Sequence, residues 1–322
     1  VFSYPPLAQT ITHDKDGNLT HDGLSQYVYD AENRLIRILR DDFRVTMKYD
    51  YMGRRVEVML EENDEDWDTV WIRRYLYDGW HLIAEIDADT GGLPVTSTYF
   101  WGYDVSNSIG GAGGIGGLLL IDDNTNRYLP GYDSGGNVVL LIQESNGILA
   151  AQMEYDPYGQ IVRMEGATDK TPFRWQSKWN LDYMCDAITG TSWGLVDYGL
   201  RWYQPRYGRF INRDPIGEAG GLNLYEAFGG DPVNNWDILG LSLETYVNYQ
   251  KREIHLALVW GTGYYGNQQL IDATKRYIAT ELSTAGNGGW NVYFHDVSQV
   301  VTLGRQAEMR LVATPSHNEK HL

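Results

Sequence analysis

One cysteine, Cys185, is all that the 322 residues contain, so no disulfide can close within the chain and no pair of thiolates can hold a metal. A lone cysteine reads as a small buried hydrophobe. Long apolar runs are missing as well: nothing approaches the roughly 18 residues that a membrane-crossing helix needs. The opening stretch, VFSYPPLAQTITHDKDGN, has neither a charged n-region nor an apolar run, so it reads as mid-protein sequence with any export signal upstream. Basic residues are scarce, 26 Lys and Arg against 43 Asp and Glu, and the net charge of −17 argues against nucleic acid or an anionic membrane as partner of the whole chain. The histidines His255, His295, His317 and His321 fall in no metal-binding spacing, and no serine nucleophile elbow occurs, so no metal and no resident cofactor are expected.

What the chain does have is aromatic residues and glycine: 24 Tyr and 11 Trp against only 7 Phe, with 36 Gly. That composition suits many short strands joined by tight turns. The dipeptide Tyr-Asp recurs at 29–30, 49–50, 77–78, 103–104, 132–133 and 155–156, at spacings of 20, 28, 26, 29 and 23 residues. Several copies share a fuller form, YDAENRLIRI, YDYMGRRVEV, YDSGGNVVLLI and YDPYGQIVRM. Each reads as a strand end, a turn carrying Gly or Asn, and a second strand. The ring packs and the Asp starts the turn. Alternation at Leu35, Arg37, Leu39 and at Val56, Val58, Leu60 is expected to turn one face inward. Hairpins that cannot bury that face alone must stack on their neighbours. The chain is therefore expected to be mainly β.

Two local runs invite other readings. Glu61-Glu62-Asn63-Asp64-Glu65-Asp66 with Asp68 reads as a solvated hairpin loop, since the register of a calcium loop is absent. GGAGGIGG at 110–117 matches G-x-G-x-x-G at Gly111, Gly113 and Gly116, but the strand-like Leu118-Leu119-Leu120-Ile121 follows where a dinucleotide site needs a helix. It reads as a turn.

From 172 onward the text changes to PFRWQSK, then TSWGLVDYGLRWYQPRYGRFINRDP. Two motifs close this stretch, Asp214-Pro215-Ile216-Gly217-Glu218 and Asp237-Ile238-Leu239-Gly240-Leu241, with eighteen residues between them that include Gly220-Gly221-Leu222-Asn223-Leu224-Tyr225. Two carboxylates held close together share a proton and split their titrations, which is what peptide hydrolysis by an aspartyl pair requires. Asp214 and Asp237 form the candidate pair, and Arg201 is placed to orient a carboxylate or polarise a carbonyl. The simpler alternative is that each Asp caps its own turn.

Residues 20–241 resemble the RHS/YD-repeat proteins, and from 172 the likeness is to the RHS-repeat-associated core domain of Rhs polymorphic toxins and toxin-complex C subunits. The motif order, the eighteen-residue spacing and the GGxNLY element carry it; Glu218 stands where the family has Leu, and Ile238 where it has Pro. The resemblance implies YD-repeat hairpins in 1–171 that wind into part of an RHS-type β-shell, a core with an autocleavage motif in 172–241, and a variable, effector-like α/β segment in 242–322. It implies an aspartyl autoprotease with Asp214, Asp237 and Arg201 as catalytic residues and the cut between Leu241 and Ser242. It further implies a secreted or cell-surface protein that encloses its own C-terminal segment, with an immunity protein or a target-cell protein or carbohydrate as further partners. A non-cleaving surface scaffold is the alternative.

The segment after Leu241 differs from the rest. Residues 242–322 hold seven basic and seven acidic residues, so the whole acidic excess lies before the expected cut. Here 253–260 reads as a strand, Gly261, Gly263 and Gly266 form a second G-x-G-x-x-G, 267–282 carries helical periodicity, and 290–297 reads as a returning strand ending near Asp296. Strand, glycine loop, helix and strand is the context of a nucleotide site, with Asp296 as the ribose ligand. A small α/β unit with a tight glycine turn fits the same pattern.

Overall fold

The computed structural model describes residues 11–89, 94–106, 109–182 and 193–241, together with the backbone of three strands at 246–248, 253–258 and 291–296. Cys185, Ser242, the glycines at 261, 263 and 266 and the expected helix 267–282 lie outside the described residues. The chain divides into two compact units: Val1–Arg213 with Tyr225–Gly240, and Asp214–Leu224 with Leu241–Leu322.

The first unit is built on a fourteen-stranded antiparallel sheet in which β1 (Thr12–His13) to β14 (Ile161–Gly166) follow one another in sequence order. The Tyr-Asp dipeptides explain this meander. In β5 (Phe43–Tyr49), β11 (Arg127–Tyr132) and β13 (Leu149–Tyr155) the tyrosine is the strand's last residue, and in β7 (Asp66–Asp78) it is the last but one. Its hydroxyl donates to the first carbonyl of the preceding strand: Tyr49 to Leu35 at 2.6 Å, Tyr77 to Arg55 at 2.9 Å, Tyr132 to Leu118 and Tyr155 to Val138 at 2.8 Å. The base of each hairpin is thereby tied by a bond worth about 1 kcal/mol. The following Asp caps the turn. Asp30, Asp50, Asp133 and Asp156 each accept two backbone N–H groups, from the residues two and four places on. Three places after the Asp the chain turns left-handed, at Asn33, Gly53, Gly136 and Gly159.

The ladder register also shifts at the tyrosine in five of these hairpins, at Tyr29, Tyr49, Tyr77, Tyr132 and Tyr155. This bulge corrects the expected alternation. After it, β4 (Leu35–Arg40) turns Leu35 and Ile38 inward, leaves Arg37 exposed and half-buries Leu39. One extra residue on one strand moves the next side chains to the other face. In β6 (Arg55–Asp64), Val58 and Leu60 are buried as expected.

The acidic run is not a loop. β6 continues to Asp64 and β7 begins at Asp66, so only Glu65, at φ +69°, makes the turn. Residues 62–66 are exposed, whereas Glu61 is buried in an ion pair with Arg44, whose guanidinium also stacks 4.3 Å from the Trp67 ring. The glycine run 110–117 folds as turns around Asp104, whose carboxylate accepts Ala112 N–H at 2.7 Å and Gly114 N–H at 3.2 Å before β10 (Leu118–Asp122) begins. Here the fourth Tyr-Asp copy, Tyr103-Asp104, caps a loop in place of a hairpin.

The inward face of the sheet packs on aromatic residues of the segment after 172: Phe173, Trp179, Trp193 and Trp202 join Leu35, Val45, Leu60, Tyr75, Ile121 and Leu141 in one core. Within that segment a second, four-stranded sheet forms from β15 (Trp179–Asn180), β16 (Val196–Asp197), β17 (Trp202–Gln204) and β18 (Arg209–Phe210). One buried ion pair joins the two sheets. Arg55, between the rings of Tyr75 and Trp179, bonds Asp197 at 2.9 Å. In the second unit the three further strands form a sheet in which 246–248 pairs antiparallel and 291–296 pairs parallel with 253–258.

Candidate functional site

Arg201 and Asp237 are brought together inside the first unit. Arg201 enters from the turn between β16 and β17, where its carbonyl accepts Tyr198 N–H at 3.0 Å. Its side chain is fully buried, lies 3.8 Å over the Phe210 ring and stands 3.7 Å from the Asp237 carboxylate, itself 2% exposed. An ion pair this deep holds because each charge neutralises the other where water does not reach. The Arg201 Nε also donates to the carbonyl of Gly240.

That last bond is one of three in a row. The Ile238 carbonyl accepts from the Lys178 ammonium at 2.7 Å, the Leu239 carbonyl from Leu200 N–H at 3.1 Å, and the Gly240 carbonyl from Arg201. Every carbonyl between Asp237 and Leu241 is therefore held by the 178–201 stretch. Gly240 must be glycine here. Its φ is +70°, and a Cβ would meet the Arg201 backbone N at 3.1 Å and the Arg201 Cβ at 3.0 Å. The glycine run takes part from the other side, because a Cβ on Gly113 would stand 2.8 Å from the Ile238 carbonyl oxygen.

Lys178 was not singled out as a functional residue in the sequence. Its only signal there is that it closes PFRWQSK. A sharp turn brings it in: Gln176 and Ser177 both adopt left-handed backbone, at φ +47° and +52°, at a cost of about 1–2 kcal/mol each. The repeats hold that turn. Asn137 Oδ1 accepts Gln176 N–H at 2.7 Å, and the Ser177 hydroxyl donates to Gly136 O at 2.8 Å and accepts Gly116 N–H at 2.9 Å. Burial drives the Lys178 ammonium down to about 8, against the opposing pull of Asp237, Asp197 and Asp104. A cavity of about 60 Å³ lies beside it, bordered by Arg55, His81, Trp101, Asp197 and Leu239. It has room and polar partners for water.

Asp214 belongs to the second unit, where it heads a turn. Its carboxylate accepts Ile216 N–H at 2.9 Å, its carbonyl accepts Gly217 N–H at 3.0 Å, and its own N–H donates to Leu224 O at 2.8 Å. The turn-capping alternative therefore describes Asp214's local bonds, whereas Asp237 faces a cation. Of the expected nucleotide residues only the backbone of Asp296 is described, at the end of the parallel strand. Among the described residues no group of three or more His, Cys, Asp or Glu side chains is arranged to hold a metal ion.

No family model matches the chain. It is similar to the tRNA3(Ser)-specific nuclease WapA of Bacillus spizizenii, 29% identical over 238 residues that make up 71% of this chain and 9% of that protein. It is similar also to the double-stranded DNA deaminase toxin A of Burkholderia cenocepacia, 26% identical over 75% of this chain and 17% of the relative. Among solved structures, the Tc holotoxin pore of Photorhabdus luminescens matches with a TM-score of 0.54 at 20% identity, over 73% of this chain and 11% of that one. That likeness is one of fold, and it agrees with the mainly β architecture. Taken with the Tyr-Asp hairpins and the paired DP and DI motifs, these relatives are consistent with the resemblance to RHS/YD-repeat toxin proteins.

Proposed function

We propose that this RHS-type toxin protein cuts its own backbone between Leu241 and Ser242, releasing the segment from 242 onward as an effector that the RHS-type shell encloses. The observation that carries this reading is the capture of three consecutive carbonyls, at 238, 239 and 240, directly before the bond to be cut. In this reading the hold on 238–240 sets the register of the bond that follows, which is how binding lowers the barrier of a hydrolysis. Asp237, beside Arg201, takes the role of the carboxylate that draws a proton from water. The water oxygen bonds to the Leu241 carbon as the C–N bond breaks. Asp214, as the protonated partner, gives its proton to the Ser242 nitrogen. The products are a Leu241 carboxylate and a new amino terminus at Ser242.

The relatives act on different nucleic acids, a tRNA in one and double-stranded DNA in the other. This supports a reading in which the shared region delivers and releases, while the activity resides in the segment beyond it. Secretion, an immunity protein and a target-cell partner belong to the same proposal. One observation favours a nucleotide-using activity in the released segment: 253–258 and 291–296 pair in parallel, as the strands of a dinucleotide-binding unit do.

The test is a comparison of purified wild type with Asp237→Asn and Asp214→Asn by intact mass. Wild type is expected to give two fragments and both variants a single chain. If Asp214→Asn cleaves normally while Asp237→Asn does not, the two-carboxylate mechanism is wrong. An uncut wild type in a folded sample would leave the non-cleaving surface scaffold as the better reading.

A further inference from the structure

We infer that Lys178 is a positioning residue for this cleavage: its ammonium ties the Gly113 carbonyl of the glycine-rich loop to the Ile238 carbonyl of residues 237–240, the strap before the bond to be cut, and so sets which peptide bond is presented for cutting. The inference rests on the self-cleavage reading.

The geometry is specific. Lys178 Nζ donates to Ile238 O at 2.7 Å and to Gly113 O at 3.1 Å. Both acceptors are backbone, so the lysine recognises where the chain runs, whatever side chains it carries. The Gly113 side of the bridge is close, with Ile238 Cγ2 and Ile238 O each 2.8 Å from the place a Cβ would occupy. Arg201 grips two residues further on, at Gly240. Two buried cations at alternate carbonyls fix the direction and register of the segment, and a slip by one residue would break both bonds. A lysine is otherwise an expensive group to bury. Two left-handed residues in the turn that delivers it add to that cost, and among the described residues no ion pair of Lys178 within 4 Å offsets it. The bridge to the strap accounts for its place.

A pH signature follows. The charged groups around Lys178 are Asp237 on the strap, Asp197 on β16 and Asp104 under the glycine loop, with Arg54, Arg55 and His81 bordering the cavity and the Tyr198 ring 5.5 Å away. Burial outweighs the three carboxylates, so the ammonium gives up its proton at about 8. A neutral amine donates weaker hydrogen bonds than an ammonium. The strap is expected to loosen and cutting to slow as pH rises through that value.

The experiment follows the first-order rate of fragment appearance from pH 5.5 to 9.5 in wild type, Lys178→Met and Lys178→Arg, with near-ultraviolet circular dichroism as the check on folding. Wild type is expected to slow at least tenfold across pH 8. Lys178→Met is expected to be at least a hundredfold slower than wild type at pH 7 with a native spectrum. Lys178→Arg, which keeps its charge, is expected to retain cutting and lose the fall near pH 8. A folded Lys178→Met that cuts at the wild-type rate overturns the inference and leaves self-cleavage standing. So does a Lys178→Arg profile with the fall still at pH 8, which keeps the test decisive should the methionine variant not fold. A wild type that does not cut at all overturns the self-cleavage reading itself, and this inference with it.

Discussion

The aspartates of the repeat hairpins and Asp237 make an instructive pair. Asp30, Asp50, Asp133 and Asp156 stand at solvent-facing turns and bond within their own turn: one oxygen accepts backbone N–H groups, and in the first three the other accepts from the side chain four places on. Asp237 begins a stretch that looks much the same in sequence, with glycine three places on, yet it is buried and faces Arg201. The local sequence pattern is common to both. What separates them is the partner that the fold brings from 36 residues away in the chain. A carboxylate becomes a candidate for chemistry when its charge is matched from a distance in the chain and water is shut out.

The comparison can be pressed from both sides. On the buried side, Arg201→Met should cost most, about 3–5 kcal/mol, because it leaves Asp237 buried without its cation. Urea unfolding of the variant would measure it, and a loss below 1 kcal/mol would mean that the pair is only a neighbour relation. Gly240→Ala forces a side chain into left-handed backbone against Arg201, and a loss of about 1–3 kcal/mol is expected in the same assay. A change of opposite sign is expected at Glu85. Burial raises its proton affinity above the usual carboxylate range, so the folded chain binds a proton that the unfolded chain has released, and stability falls as pH rises above the ordinary Glu value. Glu85→Gln should therefore be more stable than wild type at pH 7 and lose that advantage at pH 4. On the repeat side, Tyr155→Phe removes one hydroxyl bond to Val138 and should cost about 1 kcal/mol. Arg163→Ala, which breaks two exposed ion pairs, should leave the melting temperature unchanged.

The repeats were largely legible because their information is local. A Tyr-Asp followed by Gly or Asn at the third position specifies a capped turn from a handful of adjacent residues, and glycine supplies the left-handed backbone. The bulge at each tyrosine was not legible, since one extra residue leaves no mark in the polar and apolar pattern except a broken alternation, as at Ile38. The acidic run misled for the opposite reason. Its charges suggested a loop, but Arg44 and Trp67 give Glu61 a place on the strand. In the site, Arg201 and Asp237 were identified through their spacing to neighbouring motifs. Lys178 was not, because its partners are backbone carbonyls 60 and 65 residues away that no side-chain pattern announces.

The measurement that bears most directly on self-cleavage is intact mass of the purified wild-type chain, folded in water enriched in oxygen-18. Two species are expected, one ending at Leu241 and carrying one heavy oxygen in its new carboxylate, the other beginning at Ser242. A single full-length mass from a folded sample, or a break at any other bond, would contradict the account.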